Sequence, residues 1–318
     1  MAHLLQQMAY VGETPWHGLG NVLPEKQPIE VWQDKAGMAW SIESAPVNFM
    51  AHAVGNLSTI HAFPDQKVLY RSDSKEPLSV VSNRYQVVQP REVLEFYRDL
   101  SEIAGYELET AGVLKGGKKF WALAKTGQST TLKGSDAVNG YLLLATSCDG
   151  SLATTATPTT IRVVCNNTLS IAIKGATAAV KVGHRSQFDA QAVKRQLGVA
   201  VSQWDSFMYN MKVLSERKVK THESMNYFLR VICDTKPAGN DSGGLINERA
   251  LKKVQNLYEG AGKGSDLDSA KGTAWGLLNA VTEYVDHERR ARNVDNRMDS
   301  AWFGLKQRAL DQALLLAA

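Results

Sequence analysis

Seven basic residues in the middle of the chain have the types and spacing that best indicate a function. They fall in three short segments: a Gly-Gly turn, the polar edge of a helix expected at residues 159–173, and a Gly/Ala-rich segment. They are Lys115, Lys118, Lys119, Arg162, Lys174, Lys181 and Arg185, with His184 beside the last of them. Cations spaced along a surface neutralise successive phosphates. This set therefore predicts a site that binds nucleic acid.

Three aromatic residues accompany these cations on segments that read as strands. They are Tyr85, Trp121 and Tyr141. Rings beside a basic groove stack on bases, which is the usual arrangement of a single-strand binding site. The alternative is that the rings form the core of a sheet and the lysines are simply solvated.

The distribution of charge supports a polyanionic partner. The formal net charge is +4, but residues 1–160 hold 13 Lys and Arg against 16 Asp and Glu, whereas residues 161–318 hold 23 against 16. Between residues 162 and 230 the ratio is 11 to 4. Such an excess of cations attracts nucleic acid, although a surface richer in lysine than in glutamate gives the same count.

The sequence contains no recognisable catalytic motif. The segment around Gly262 and Lys263 resembles a phosphate-binding loop, but the Walker spacing requires glycine at 257 and serine or threonine at 264, where the chain has Leu257 and Gly264. The seven histidines and three cysteines form no metal-ligand spacing. We therefore expect no catalytic residues, no metal and no cofactor.

The location expected from the sequence is the cytoplasm. No run of about 18 apolar residues predicts a membrane span, and the first residues lack the basic and apolar regions of a signal peptide. The widely spaced cysteines are typical of buried thiols in a reducing compartment.

The spacing of apolar residues predicts an α+β fold. Short alternating segments between residues 41 and 157 predict strands of a mostly antiparallel sheet, interrupted by an amphipathic helix from Pro90 to Ala104. From Val193 to Leu214 the spacing alternates 4 and 3, as in a heptad repeat. We expect residues 1–186 to form a sheet domain with covering helices, and residues 187–318 to form a helical region packed on it.

One further helix is expected at residues 159–173. Apolar residues recur at helical spacing from Ile161 to Ala172, and Pro158 stands where a chain commonly enters a helix. A strand competes, because Ile161, Val163 and Cys165 alternate with polar residues. The helix is preferred because Asn166 and Asn167 would end such a strand early.

Three separated motifs give the chain a resemblance to a known family. They are Thr14-Pro-Trp-His-Gly-Leu-Gly20, Ile161-Arg-Val-Val-Cys-Asn-Asn-Thr-Leu169 and Trp275-Gly-Leu-Leu-Asn-Ala-Val-Thr-Glu-Tyr-Val-Asp-His287. They resemble the phage/plasmid-like proteins grouped as domain of unknown function number 932. The resemblance implies a mobile-element protein that acts in the cytoplasm of a bacterial host, and it carries over no catalytic residue.

The expected function is nucleic-acid binding, in the manner of a single-strand annealing recombination protein. This rests on analogy, since annealing proteins of phages and plasmids have a bent antiparallel sheet with a helix over it. The alternatives are an interaction protein, such as an inhibitor of a host defence system, and a mobile-element hydrolase or nuclease. We also expect a homo-oligomer, formed through the helix with Trp204 and Phe207 or through Leu314, Leu315 and Leu316.

Overall fold

The computed structural model describes most of the chain. The described residues are 5–12, 20–52, 58–162, 167–170, 172–173, 176–177, 179–201, 204–233, 248–289 and 305–318. None of the described helices combines the length and apolarity that crossing a bilayer requires. The first of the three motifs, residues 14–20, lies largely outside the described residues, as do Lys174 and Cys165.

The strands are concentrated before residue 183 and the helices after it. The strands are β1 (Leu5–Val11), β2 (Asn21–Leu23), β3 (Ile42–His52), β4 (Ser58–Arg71), β5 (Pro77–Ser82), β6 (Glu107–Leu114), β7 (Lys119–Leu132), β8 (Asp136–Ser147), β9 (Thr154–Arg162), β10 (Asn167–Ser170), β11 (Ala172–Ile173), β12 (Ala176–Thr177) and β13 (Val180–Val182). The helices are α1 (Ile29–Lys35), α2 (Pro90–Ala104), α3 (Ala190–Val201), α4 (Trp204–Glu216), α5 (Thr221–Ile232), α6 (Glu248–Asn256), α7 (Ala274–Glu283) and α8 (Leu305–Ala317). The expected α+β class and the helical C-terminal half are confirmed.

The chain forms two compact units, each assembled from separate segments. The first comprises Met1–Thr126, Leu142–Ala156 and Ala179–Gln196, and the second comprises Gly127–Tyr141, Thr157–Ala178 and Leu197–Ala318. This division differs from a boundary at residue 186. The reason is that β7, β8 and β9 are long strands whose two ends belong to different units.

The largest sheet has the strand order β10-β9-β8-β7-β6-β1-β2, and β13 also pairs with β9. The neighbours β1 and β2 are parallel, whereas β6 pairs antiparallel with both β1 and β7. A separate sheet has the order β3-β4-β5, and its β3–β4 ladder runs over eleven residue pairs. The two glycine turns expected from the sequence are present, because Gly116 and Gly117 (φ 69° and 99°) lie between β6 and β7 and Gly150 (φ 75°) lies between β8 and β9.

Helix α2 begins and ends where the sequence predicts. Pro90 occupies the first turn, and Gln89 and Glu92 form reciprocal capping hydrogen bonds in front of it. Gly105, with φ 68° and ψ 25°, ends the helix in the left-handed conformation. The buried face of α2 is fixed by Tyr97, whose hydroxyl donates to the carbonyl oxygens of Ala122 (3.0 Å) and Leu142 (2.9 Å). Because those carbonyls lie on β7 and β8, the helix is held against the sheet.

The helix expected at residues 159–173 is wrong. The described part of this stretch is extended, since β9 continues to Arg162 and β10 pairs with it antiparallel. The threonines of β9 are β-branched and buried, which favours a strand.

The heptad-like spacing places a continuous apolar seam in the interior. Trp204, Phe207, Met211 and Leu214 are all buried on α4, in the core of the second unit. The side chains of Trp204 and Phe207 therefore cannot supply the expected oligomer contact, because the chain's own core covers both; that the protein is a homo-oligomer stays a prediction. At the C-terminus Leu315 is 67% exposed, whereas Leu314 and Leu316 pack partly against the same core.

Candidate nucleic-acid interface

The turn between β8 and β9 is a fixed platform within the first unit. Ser147 closes it from both directions, because its hydroxyl donates to the carbonyl of Leu152 and accepts from the Leu152 N–H, each at 3.0 Å. Inside the turn the carboxylate of Asp149 accepts a hydrogen bond from the Ser151 N–H at 2.9 Å. In the Asp149-Gly150 turn the carboxylate of Asp149 therefore accepts the hydrogen bond that a backbone carbonyl accepts in an ordinary turn.

The Gly-Gly turn between β6 and β7 attaches to this platform through Cys148. The N–H of Cys148 donates to the carbonyl of Lys118 at 2.9 Å, and its thiol lies 3.5 Å from the carbonyl of Gly117. Gly117 has no room for a side chain, since a Cβ there would lie 3.0 Å from the ring of Trp40. The turn is therefore held against Cys148 and Trp40. Lys115 and Lys118 on this turn are half-exposed.

The segment after β13 attaches to the same platform through His184. Its Nε2 lies 2.8 Å from the carbonyl oxygen of Leu152, and its Nδ1 lies 3.2 Å from that of Gln86. The backbone is tied as well, because the Gln86 N–H donates to the His184 carbonyl at 2.7 Å.

Tyr85 stacks on His184 and completes the attachment. The ring centroids are 4.5 Å apart at an interplanar angle of 17°, and the Tyr85 hydroxyl donates to the carbonyl of Ser147 at 2.9 Å. Burial, more than any neighbouring charge, raises the pKa of this hydroxyl, so it stays protonated and keeps donating. We use the name turn cluster for residues 147–152 together with Tyr85, Lys118 and His184.

Several cations are carried by the segments that meet at the turn cluster. Lys181 and Arg185 are exposed on the segment that carries His184, and Lys181 lies opposite Thr155 in the β13–β9 ladder. Arg84 is exposed next to Tyr85, and the sequence alone gave no reason to select it, because it lies 100 residues before His184 in the chain. Cations from three remote segments therefore gather around one turn.

One predicted phosphate contact is buried. Lys119 is 4% exposed and contributes a favourable charge interaction to Asp149. Burial of Asp149 opposes its ionisation, but hydrogen bonds from Ser151 and Ser147 and the charge of Lys119 outweigh it, so the pKa of Asp149 is lowered. Lys119 balances this carboxylate inside the protein, and the exposed cations are left to face a ligand.

The remaining predicted residues have different surroundings. Trp121 and Tyr141 are 2% and 3% exposed, so these two rings are core residues and not a stacking surface. Arg162 ends β9, opposite Asn167, in the second unit. Lys174 lies outside the described residues.

The glycine loop that resembles a phosphate site serves another purpose. The N–H of Lys263, which would face a phosphate in such a loop, donates to both carboxylate oxygens of Glu283 at 3.1 Å. Gly262 is buried, and a Cβ there would lie 2.5 Å from the carbonyl oxygen of Leu257. Among the described residues, no group of three or more His, Cys, Asp or Glu side chains is placed to hold a metal ion.

A family model with the description "Domain of unknown function (DUF932)" matches residues 77–302 of the chain. The chain belongs to this family. No curated protein and no solved structure matches it. The match includes the turn cluster and the second and third motifs, whereas the motif at residues 14–20 precedes it.

In this DUF932 chain the third motif builds the core of the second unit. The indole N–H of Trp275 donates to Oδ2 of buried Asp136 at 2.9 Å, and the Ser269 hydroxyl donates to the same oxygen at 2.6 Å. Gly276 is required by packing, because a Cβ there would lie 2.0 Å from the carbonyl oxygen of Ala270. At the far end Asp286 forms a buried ion pair with Lys306. The motif therefore has a structural explanation.

Proposed function

We propose that this DUF932 protein binds single-stranded nucleic acid at the turn cluster, holding one strand by its phosphates while a complementary strand pairs with it. The observation that supports the proposal is the convergence of Arg84, Lys118 and the Lys181–Arg185 segment on one rigid turn. Asp149 is the acid within that turn, and Lys119 partly balances its charge. An arrangement with more cations than acids attracts a phosphate backbone.

Rigidity of the turn also supports the proposal. Each of the segments is tied by backbone hydrogen bonds, so binding a strand requires little ordering of the protein. A site that is already ordered loses less conformational entropy on binding. Backbone contacts fix the position of a strand without reading its sequence, so we expect little sequence preference.

The burial of Trp121 and Tyr141 favours annealing over simple sequestration. Rings that stack on bases hold those bases away from other partners. With these two rings in the core, the strand would be held through its phosphates and its bases would stay open. That is the state in which a second strand can pair.

Binding is tested by fluorescence anisotropy with a labelled oligo-dT and a duplex of equal length. We expect the single strand to bind more tightly than the duplex, with an affinity that falls between about 50 mM and about 200 mM salt. The slope of log K against the logarithm of the salt concentration should be roughly −0.7 per phosphate neutralised. The double variant Lys181→Ala/Arg185→Ala should weaken binding of every sequence alike and flatten the slope by about 1.4 units.

The matched control is Arg91→Ala. Arg91 is an exposed cation at the start of α2, so the change removes one charge from the same unit without touching the turn cluster. Its affinity and slope should equal those of the wild type. The proposal is refuted if no oligonucleotide shows salt-sensitive binding, or if the double variant and Arg91→Ala behave alike.

Arg162→Ala tests whether the end of β9 contributes as well. We expect a slope flatter by a little under one unit if Arg162 contacts a phosphate. Annealing is measured separately, from energy transfer between complementary labelled strands. The protein should accelerate it at low salt, and the Lys181→Ala/Arg185→Ala variant should not.

A further inference from the structure

The outer halves of β3 and β4 form a two-stranded arm whose described residues are mostly exposed on both faces. The arm comprises Val47–His52 paired with Ser58–Phe63, in register from Val47 opposite Phe63 to His52 opposite Ser58. Apolar side chains are exposed along it: Phe49 is 51% exposed, Met50 61%, Ile60 73% and Phe63 43%. Residues that face each other in an antiparallel pair share a face, so Phe49 and Phe63 lie on one face and Met50 and Ile60 on the other.

The arm also has unpaired edges. Strand β5 pairs with β4 only from Gln66 to Tyr70, which leaves Ser58–Phe63 without a neighbour on that side. No described strand pairs with the outer edge of β3. Such an edge is a template for another strand, and proteins usually protect it with charges.

This arm lacks that protection. From Ser44 to Pro64 the sequence contains no Asp, Glu, Lys or Arg. The arm thus combines exposed apolar side chains, open edges and no charge, which is the composition of a surface that is covered in use.

We propose that the arms of two copies of this chain pair with each other, edge to edge, across a two-fold axis. An uncharged strand can lie antiparallel to its own copy without placing like charges opposite each other. A phosphate backbone is a poor occupant, because the arm offers no Lys or Arg to contact it.

A lipid surface is a poorer occupant for a different reason. The apolar side chains suit hydrocarbon, but the open edges carry backbone N–H and C=O groups that lipid cannot satisfy. A second strand of the same composition satisfies one edge and places uncharged, apolar neighbours beside the exposed side chains of the extended sheet. Strand pairing therefore accounts for both features of the arm.

The size of the arm sets the expected strength of the dimer. Its four exposed apolar side chains present on the order of 400 Å² per copy, given the area of large apolar side chains. Pairing edge to edge buries only the part of this surface that lies along the joined edges, so the interface falls below the roughly 1,200 Å² of specific, stable complexes. We expect a dimer that dissociates in the micromolar range.

The test is sedimentation velocity of the full chain from about 1 µM to about 100 µM, a range that brackets micromolar association. The wild type should shift from monomer to dimer. The proposed pairing joins the β3 edges, so Met50→Lys places a positive charge at the contact from each copy and should stay monomeric. Val80→Lys is the matched control, since Val80 is 55% exposed on β5 of the same sheet but outside the arm. It should dimerise like the wild type.

A mixture of Met50→Lys and Met50→Glu copies distinguishes arm-to-arm pairing from docking of the arm elsewhere. Opposite charges at the contact should restore a mixed dimer, and circular dichroism should show that both variants remain folded. Arm-to-arm pairing is overturned if the wild type is monomeric at about 100 µM, a concentration well above the expected dissociation constant. It is also overturned if Met50→Lys still dimerises, or if the mixture stays monomeric. Because these measurements contain no nucleic acid, their outcome is independent of the proposed function.

Discussion

The rings of Tyr85 and His184 are stacked 4.5 Å apart although 98 residues separate them in the sequence. Each ring also holds the turn between β8 and β9, through the carbonyls of Ser147 and Leu152 respectively. This pair therefore ties the segments that carry Arg84 and Arg185 to one place. It positions cations and does not itself need to touch a ligand.

Removing the Tyr85 hydroxyl should weaken the turn cluster without changing its charge. Tyr85→Phe leaves the Ser147 carbonyl without this donor, so we expect a loss of about 1 kcal/mol in the free energy of unfolding. His184→Ala removes the stack and the ring's contacts with the carbonyls of Leu152 and Gln86, and it should lower the free energy of unfolding by more than Tyr85→Phe does. The double variant should lose less free energy of unfolding than the two single variants lose together, because the two residues are in contact and therefore coupled. Urea denaturation measures all three, and additive losses would contradict the coupling.

Cys148 should be nearly unreactive in the folded protein. Burial, followed by the charge of Asp149, raises the pKa of its thiol to about 12. At pH 8 only about one part in ten thousand would be thiolate, the reactive form. Iodoacetamide followed by mass spectrometry should label Cys148 in urea and not in native protein. Because the folded pKa is raised, this thiol stabilises the fold below the unfolded pKa near 9, and that contribution is lost between pH 9 and pH 12.

Gly276→Ala should destabilise the second unit. The new Cβ would meet the Ala270 carbonyl oxygen at 2.0 Å, and a backbone atom cannot move aside as a side-chain tip can. We expect a loss of about 1–3 kcal/mol, the usual cost of overpacking. Gly183→Ala is the control, since a Cβ there meets nothing within 4 Å and its φ is not positive. A neutral Gly276→Ala in thermal denaturation would show that the helix can shift.

Local signals in the sequence were sufficient where the structure is local. Pro90 and Gly105 bound α2, and Gly116 and Gly150 mark turns, because capping and positive φ depend on adjacent residues. At residues 159–173 the helical spacing is misleading, because β9 pairs with β10, the next strand in the chain, and with β13 further on.

The candidate site was predictable only in the part that depends on local sequence. The cations were visible as residue types, and the sequence placed Lys118 and Arg185 in turns or loops. The sequence did not show that Lys119 is the buried lysine, because its surroundings include Asp149, which lies 30 residues further along the chain. The stacking of Tyr85 on His184 left no trace in the sequence, because no local pattern connects them.

Asp73 should make unfolding depend on pH at the acid end. Two hydrogen bonds from Arg71, at 2.9 and 2.7 Å, lower the pKa of Asp73 to about 2. Because the folded pKa is depressed, the contribution is present above the unfolded value near 3.8 and is lost as the pH falls toward 2. Asp73→Asn should therefore reduce the difference in urea midpoint between pH 5 and about pH 2.5. An unchanged difference would mean that the pair persists in the unfolded chain or contributes nothing.

The buried ion pair between Asp286 and Lys306 should be costly to break from one side. Both side chains are 6% exposed, so Lys306→Met leaves a carboxylate in the core without its ion-pair partner. We expect a loss of about 3–5 kcal/mol in the free energy of unfolding. The double variant Asp286→Leu/Lys306→Met should recover most of it, because no buried charge is left at the pair. Lys253→Met breaks the exposed pair with Glu288 in the same unit and should cost under about 1 kcal/mol. If urea denaturation finds equal losses for Lys306→Met and Lys253→Met, burial does not determine the strength of these pairs.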